Sequence, residues 1–105
     1  MRRAYILLAG LLALGSTESQ AQQIGQPSRG LALAKRLCAE CHAVQKEDAQ
    51  SPNADAPHFQ LIAMVPGMTA LALTATLNTS HRQMPNILLD PAEQADIIAY
   101  IMSLK

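Results

Sequence analysis

The chain has 105 residues, two cysteines, three histidines and no net formal charge at neutral pH. A chain of this length holds one small domain at most. It has neither a basic stripe nor a block of like charge, so the sequence indicates neither a nucleic-acid-binding protein nor a charged membrane-surface protein.

The N-terminus has the pattern of a secretory signal peptide. A basic pair, Arg2-Arg3, precedes an apolar run over residues 4–14, and residues 19–21 form a small-x-small cleavage site. We predict a signal peptide over residues 1–21, cleaved after Ala21, and therefore a periplasmic location in a bacterium. The apolar run is shorter than the roughly 20 residues needed to span a bilayer, so we expect no stable membrane insertion after cleavage. An uncleaved N-terminal anchor is the alternative.

The next residues predict a flexible leader and then a helix. Residues 22–28 are polar and form the leader, and the domain is predicted over residues 29–105. From residue 29 onward apolar residues recur at three-residue spacing, which predicts a first helix over residues 29–41. Residues 43–57 are polar, contain two prolines and predict a long loop.

Three further helical segments follow this loop. A short apolar segment at residues 59–64 predicts one or two turns, and Thr69 can cap a helix that runs through Leu77. The run Asp90-Pro91-Ala92-Glu93 has the pattern of a capping box and predicts a last helix over residues 91–103. No alternating strand pattern is present. The predicted fold class is all-α, with three main helices plus short helical turns.

The most specific pattern in the chain is Cys38-Ala39-Glu40-Cys41-His42. Two thiols about one helical turn apart can each add to a vinyl group of one porphyrin, and the next histidine can reach the iron. The pattern therefore indicates one covalently attached c-type haem, held by Cys38 and Cys41, with His42 as an axial ligand. Because C-x-x-C also occurs in zinc sites, a small zinc module using these residues and another histidine is a remote alternative.

The composition agrees with a haem. After the signal peptide the chain has only Phe59 and Tyr100 as aromatic residues and no tryptophan. A chain of this size buries little core unless something staples it. A haem would supply the missing flat apolar volume, and its covalent attachment would supply the staple.

The order of these motifs resembles the class I cytochrome c family, the small bacterial type, over residues 29–105. Gly30 stands where the family has a glycine that lets the first and last helices cross closely, and Tyr100 stands in the aromatic place on the last helix. The resemblance implies the cytochrome c fold packed around one haem. Ala34 departs from the family, which often has an aromatic residue there, and predicts a slimmer helix contact.

The second axial ligand has several candidates in the predicted mature chain, namely Met64, Met68, Met84, Met102, His58 and His81. The resemblance implies a ligand in a Met-Pro pair between the last two helices, and Met84-Pro85 matches it. We therefore predict Met84. His81, three residues earlier, is the alternative.

The resemblance also implies a proline carbonyl that accepts a hydrogen bond from the ligating histidine. Such a bond holds the imidazole ring and raises its donor strength. The segment Ala56-Pro57-His58-Phe59 matches the family, which makes Pro57 the predicted acceptor. Pro52 is the alternative because the loop is long.

A haem closed on both sides by histidine and methionine predicts one-electron transfer rather than catalysis, since no coordination position is open to a substrate. We expect a monomeric electron carrier, not an enzyme. Its partners would be redox proteins: a donor dehydrogenase or membrane complex, and a terminal acceptor. The alternative is a ligand-binding or peroxidase-like protein in which Met84 detaches easily.

Overall fold

The computed structural model describes residues 24–81 and 83–105, and the predicted signal peptide lies outside the described residues. The described chain forms four helices in the order α1 (Pro27–Leu37), α2 (Phe59–Ala63), α3 (Ala70–Leu77) and α4 (Pro91–Met102). Among these residues the only β-type pairing is an isolated bridge between His81 and Met84. The all-α prediction is confirmed. No helix in the described ranges has the length and apolar character needed to cross a membrane.

Helix α1 begins and ends earlier than predicted. Pro27 occupies the first helical turn, where its missing N–H costs nothing because that N–H would have no partner within the helix. The helix ends at Leu37 rather than at Cys41, because the N–H groups of Cys38 and Ala39 both donate to the carbonyl of Ala34. The cysteines therefore lie in the turns that follow the helix.

The predicted caps of α3 and α4 are confirmed. The hydroxyl of Thr69 accepts a hydrogen bond from the N–H of Ala72 at 3.1 Å. Asp90 and Glu93 form the capping box, since each carboxylate accepts the backbone N–H of the other, at 2.8 and 3.1 Å. Each such cap contributes about 1 kcal/mol to helix stability.

Helices α1 and α4 cross with their backbones in contact at Gly30. A Cβ atom on Gly30 would lie 2.0 Å from the carbonyl oxygen of Asp96 and 2.6 Å from Cβ of Tyr100. The predicted close crossing is therefore confirmed. Ala34 is completely buried one turn further along α1, as the slimmer contact requires.

The core lies along α4, which α1, α2 and α3 all contact. Its buried members come from every helix and from the segment after the Cys38–His42 motif: Leu33, Ala34, Val44, Phe59, Ala63, Leu73, Ile97, Ile98, Tyr100, Ile101 and Leu104. Only two of them are aromatic. The core is therefore small, and much of the space beside it is the cavity described below.

The residues just before α1 pack on α4. The N–H of Gln26 donates to the nearly buried carboxylate of Asp96 at 2.7 Å. A Cβ on Gly25 would lie 1.9 Å from the carbonyl oxygen of Ala95, so the two backbones are in contact there as well. Part of the segment interpreted as a leader is thus attached to the last helix, and the start of the domain at residue 29 stays a prediction.

Tyr100 connects α4 to the segment after the Cys38–His42 motif. Its hydroxyl donates to the carbonyl of Val44 at 2.5 Å. Burial raises the pKa of this phenol, and the carboxylates of Glu47 and Asp48 raise it further. Because the folded-state pKa lies above the unfolded value of about 10, the contribution to stability is complete below that value. It is lost as pH rises through the folded-state pKa.

We expect Tyr100→Phe to lower the free energy of unfolding of the protein by about 1–2 kcal/mol at neutral pH, because the carbonyl of Val44 loses its donor. The stability of the variant should also fall less steeply at alkaline pH than that of the parent protein, because the phenol that titrates there is gone. Guanidinium unfolding over a series of pH values measures both effects. An equal alkaline decline in the two proteins would contradict the role assigned to Tyr100.

Candidate haem-binding site

A cavity of about 340 Å³ opens between the helices and two loops, at residues 38–58 and 78–90. This volume lies within the roughly 300–1,000 Å³ typical of ligand and cofactor pockets. Its walls are mainly apolar and include Leu37, Phe59, Ile62, Leu73, Ile97 and Ile101. All five predicted site residues also line it: Cys38, Cys41, His42, Pro57 and Met84. The fold thus brings side chains from two distant loops to one apolar space.

The two cysteines are free, partly buried thiols at the wall of this cavity. The N–H of His42 donates to the carbonyl of Cys38 at 2.9 Å, which closes the turn and brings the three side chains of the motif to one wall. Burial raises the pKa of the Cys38 thiol, and the neighbouring Cys41 adds to the effect. The Cys38 thiol therefore keeps its proton at neutral pH.

The ring of His42 is held by Pro57. Nδ1 of His42 lies 2.7 Å from the carbonyl oxygen of Pro57. A carbonyl can only accept, so Nδ1 carries the proton and Nε2 keeps a free lone pair, the arrangement that a metal-binding imidazole needs. The ring also lies against Phe59, with 5.2 Å between ring centroids. The geometry brings Pro57 to His42; Pro52 is exposed and does not line the cavity.

Met84 is the methionine that reaches the cavity. The described ranges contain four methionines, and among these only Met84 lines the cavity; Met64, Met68 and Met102 do not. His81 lines the cavity as well, and its Nδ1 lies 2.6 Å from the carbonyl of Thr79. Both sequence candidates in this loop, Met84 and His81, are therefore adjacent to the same space.

The turn that presents Met84 has an unusual backbone. The N–H of Met84 donates to the carbonyl of His81 at 3.3 Å, and Gln83 has φ of +67°. A residue other than glycine in this left-handed region costs about 1–2 kcal/mol. Sequence patterns did not predict this conformation, because glutamine carries no preference for it.

Polar side chains hold the segment after the motif, a role that the sequence patterns did not predict. The carboxylate of Asp48 accepts the N–H groups of Val44 and Gln45, at 3.1 and 3.0 Å. The hydroxyl of Ser51 accepts the N–H of Ala43 at 2.9 Å. Aspartate and serine commonly make such bonds to nearby backbone, and this signal was present in the polar loop.

The residues present fit a haem better than a zinc ion. Residues 24–81 and 83–105 contain no group of three or more His, Cys, Asp or Glu side chains placed to hold a metal. The zinc alternative therefore has no ligand set within them. The cavity instead offers two thiols, an imidazole with a free Nε2 and a thioether, all beside an apolar wall. This donor set suits a covalently attached, six-coordinate haem iron.

Comparisons with known proteins agree with this chemistry. The family model described as Cytochrome c matches residues 27–105. A relative named Cytochrome c-552, from Bradyrhizobium diazoefficiens (strain JCM 10833 / BCRC 13528 / IAM 13628 / NBRC 14792 / USDA 110), is 38% identical over 95 residues, which cover 90% of this chain and 89% of that protein. No solved structure gives a significant match. The chain belongs to the cytochrome c family, and its cofactor is covalently attached haem c.

Proposed function

We propose that this haem protein is a periplasmic one-electron carrier in which Cys38 and Cys41 hold the haem and His42 and Met84 ligate its iron. One observation carries the proposal: the four side chains line one apolar cavity although they come from two separate loops. The membership in the cytochrome c family supports the electron-carrier role in general. The ligand set, the location and the absence of catalysis are the proposed part.

Haem supplies a reversible one-electron couple between ferrous and ferric iron when bound. Cys38 and Cys41 tether the group, and Pro57 holds His42 so that Nε2 can face the iron. The apolar wall excludes water and so favours the ferrous form, which carries less charge. Met84 would be the second protein ligand of the iron, which would keep substrates from the metal and leave electron transfer as the chemistry that the bound haem supplies.

The location and partners follow from the N-terminal pattern and the closed site. The signal-peptide pattern of residues 1–21 supports export to the periplasm. There the protein would act as a monomer between a donor dehydrogenase or membrane complex and a terminal acceptor. The alternative is a ligand-binding or peroxidase-like protein in which Met84 detaches easily.

Absorption spectroscopy of the protein expressed with haem-attachment machinery tests the proposal. We expect a c-type pyridine haemochrome, a charge-transfer band typical of methionine on ferric iron, and no carbon monoxide adduct with the reduced protein. A colourless product with two free thiols would overturn the assignment. Ready binding of carbon monoxide by the unmodified protein would instead favour the ligand-binding alternative.

Met84→Ala should leave the haem attached but open one iron position, so that the reduced variant binds carbon monoxide fully where the parent binds none. The methionine band should disappear with it. Met64→Ala is the matched control, because Met64 is 60% exposed and does not line the cavity. If His81→Ala opened the iron and Met84→Ala did not, the ligand would be His81.

A further inference from the structure

His58 makes two hydrogen bonds that the family assignment does not explain. Its Nδ1 accepts the N–H of Gln60 at 3.1 Å, which caps the N-terminus of α2. Its Nε2 lies 3.1 Å from the carbonyl oxygen of Asp48. Because Nδ1 accepts, the proton is on Nε2, which donates to Asp48. The ring is therefore held in one orientation and connects two segments.

These two segments are the ones that meet at the ligating histidine. Nδ1 of His42 donates to the carbonyl of Pro57, whose carbon is bonded to the nitrogen of His58. Two residues later in the chain, the N–H of Phe59 donates to the carbonyl of Ala43 at 2.9 Å. The Pro57 carbonyl thus lies just before the extended residue His58, and the next residue, Phe59, is bonded to the segment after the Cys38–His42 motif.

The hydrogen bond from His58 to Asp48 is a second connection between the segment around Pro57 and the segment after the Cys38–His42 motif. The backbone carbonyl of Asp48 accepts the hydrogen bond from His58. The carboxylate of the same residue accepts hydrogen bonds from the N–H groups of Val44 and Gln45. Asp48 therefore folds residues 44–48, which follow the motif, into a turn. His58 attaches the start of α2 to this turn. A displacement of residues 57–59 that would carry the Pro57 carbonyl away from His42 requires breaking the bond between His58 and Asp48 or the bond between Phe59 and Ala43.

An ordinary N-cap residue would not do both tasks. Serine, threonine, aspartate and asparagine cap helices well, but their short side chains use one atom on the adjacent backbone. Histidine has an acceptor and a donor on separate ring nitrogens and can contact both the helix and a second loop. The bond to Asp48, ten residues away in sequence, is the part that capping leaves unexplained.

We propose that His58 is a positioning residue for the axial imidazole: by joining α2 to Asp48 it fixes the Pro57 carbonyl that orients His42. The inference rests on the proposed ligation of the iron by His42. It predicts that loss of the His58 ring loosens the His42–Pro57 hydrogen bond more than it loosens the rest of the domain.

The test compares three variants of the reduced, haem-loaded protein. His58→Ala removes both bonds, and His58→Asn keeps a capping side chain but cannot reach Asp48. Thr69→Ala is the matched control, since it removes the equivalent cap of α3 and Thr69 does not line the cavity. Deuterium exchange of the Nδ1–H of His42, followed by ¹⁵N NMR, is measured relative to exchange of the buried amide of Ile97.

We expect the relative exchange rate at His42 to rise about fivefold in His58→Ala and to stay raised in His58→Asn. In Thr69→Ala the ratio should equal that of the parent. An unchanged ratio in His58→Ala, or a parent-like ratio in His58→Asn, would overturn the inference. If the parent lacks haem-shifted His42 resonances, the proposed ligation itself fails, which separates that failure from failure of the positioning role.

Discussion

Gly30→Ala is expected to destabilise the haem-loaded protein by at least about 3 kcal/mol, because the added methyl has no space between α1 and α4. It would lie 2.0 Å from a backbone carbonyl oxygen of Asp96, which cannot move aside as a side chain can. Helix propensity alone predicts the opposite sign, a gain of about 1 kcal/mol. Guanidinium unfolding followed by far-ultraviolet circular dichroism measures the difference.

Gly67→Ala is the matched control for this substitution. Gly67 has φ of +78°, and a Cβ there would meet nothing within 4 Å. The loss should therefore be only the cost of a left-handed alanine, about 1–2 kcal/mol. If Gly30→Ala were stabilising, or no worse than Gly67→Ala, the backbone contact at the helix crossing would not be as described.

Features that depend on neighbouring residues were predictable from the sequence. The capping box of Asp90 and Glu93 and the cap at Thr69 join residues three apart, so their spacing shows in the sequence itself. The end of α1 was not predictable in this way. Helical periodicity continues through the motif, but the bonds to the carbonyl of Ala34 end the helix at Leu37.

Features that join distant residues needed either the family resemblance or the structure. The acceptor Pro57 is 15 residues from His42, and no periodicity relates them; only the resemblance pointed to it. The bond between Gln26 and Asp96 spans 70 residues and was not predicted. The path of the chain determines such contacts, so they cannot be predicted from composition or from local patterns.

The candidate site divides in the same way. The Cys38–His42 motif is a short local pattern with its own chemistry, so sequence alone indicated a haem. Met84 came from its place in a Met-Pro pair and from resemblance. The structure adds what supports these residues: Asp48 and His58 hold the segment beside His42, and a left-handed Gln83 shapes the turn before Met84.

Replacing both Cys38 and Cys41 with serine is expected to abolish covalent haem attachment and, with it, the stable fold. Without haem the cavity of about 340 Å³ is unfilled. The apolar side chains that line it would then face water, and the remaining core is small for a domain whose whole stability is about 5–15 kcal/mol. The haem-free double variant should therefore show little helix by circular dichroism and no cooperative thermal transition.

Single variants and added free haem distinguish the two ways in which haem stabilises the fold, by its covalent attachment and by filling the cavity. Cys38→Ser or Cys41→Ser alone keeps one thiol that can hold the haem, so each should fold with lower stability and still stain for covalent haem on a denaturing gel. Free haem added to the double variant should restore part of the helix signal through His42 and the apolar wall, without covalent staining. A cooperative transition in the haem-free double variant would contradict the claim that this domain needs its haem to fold, because the small core along α4 would then suffice.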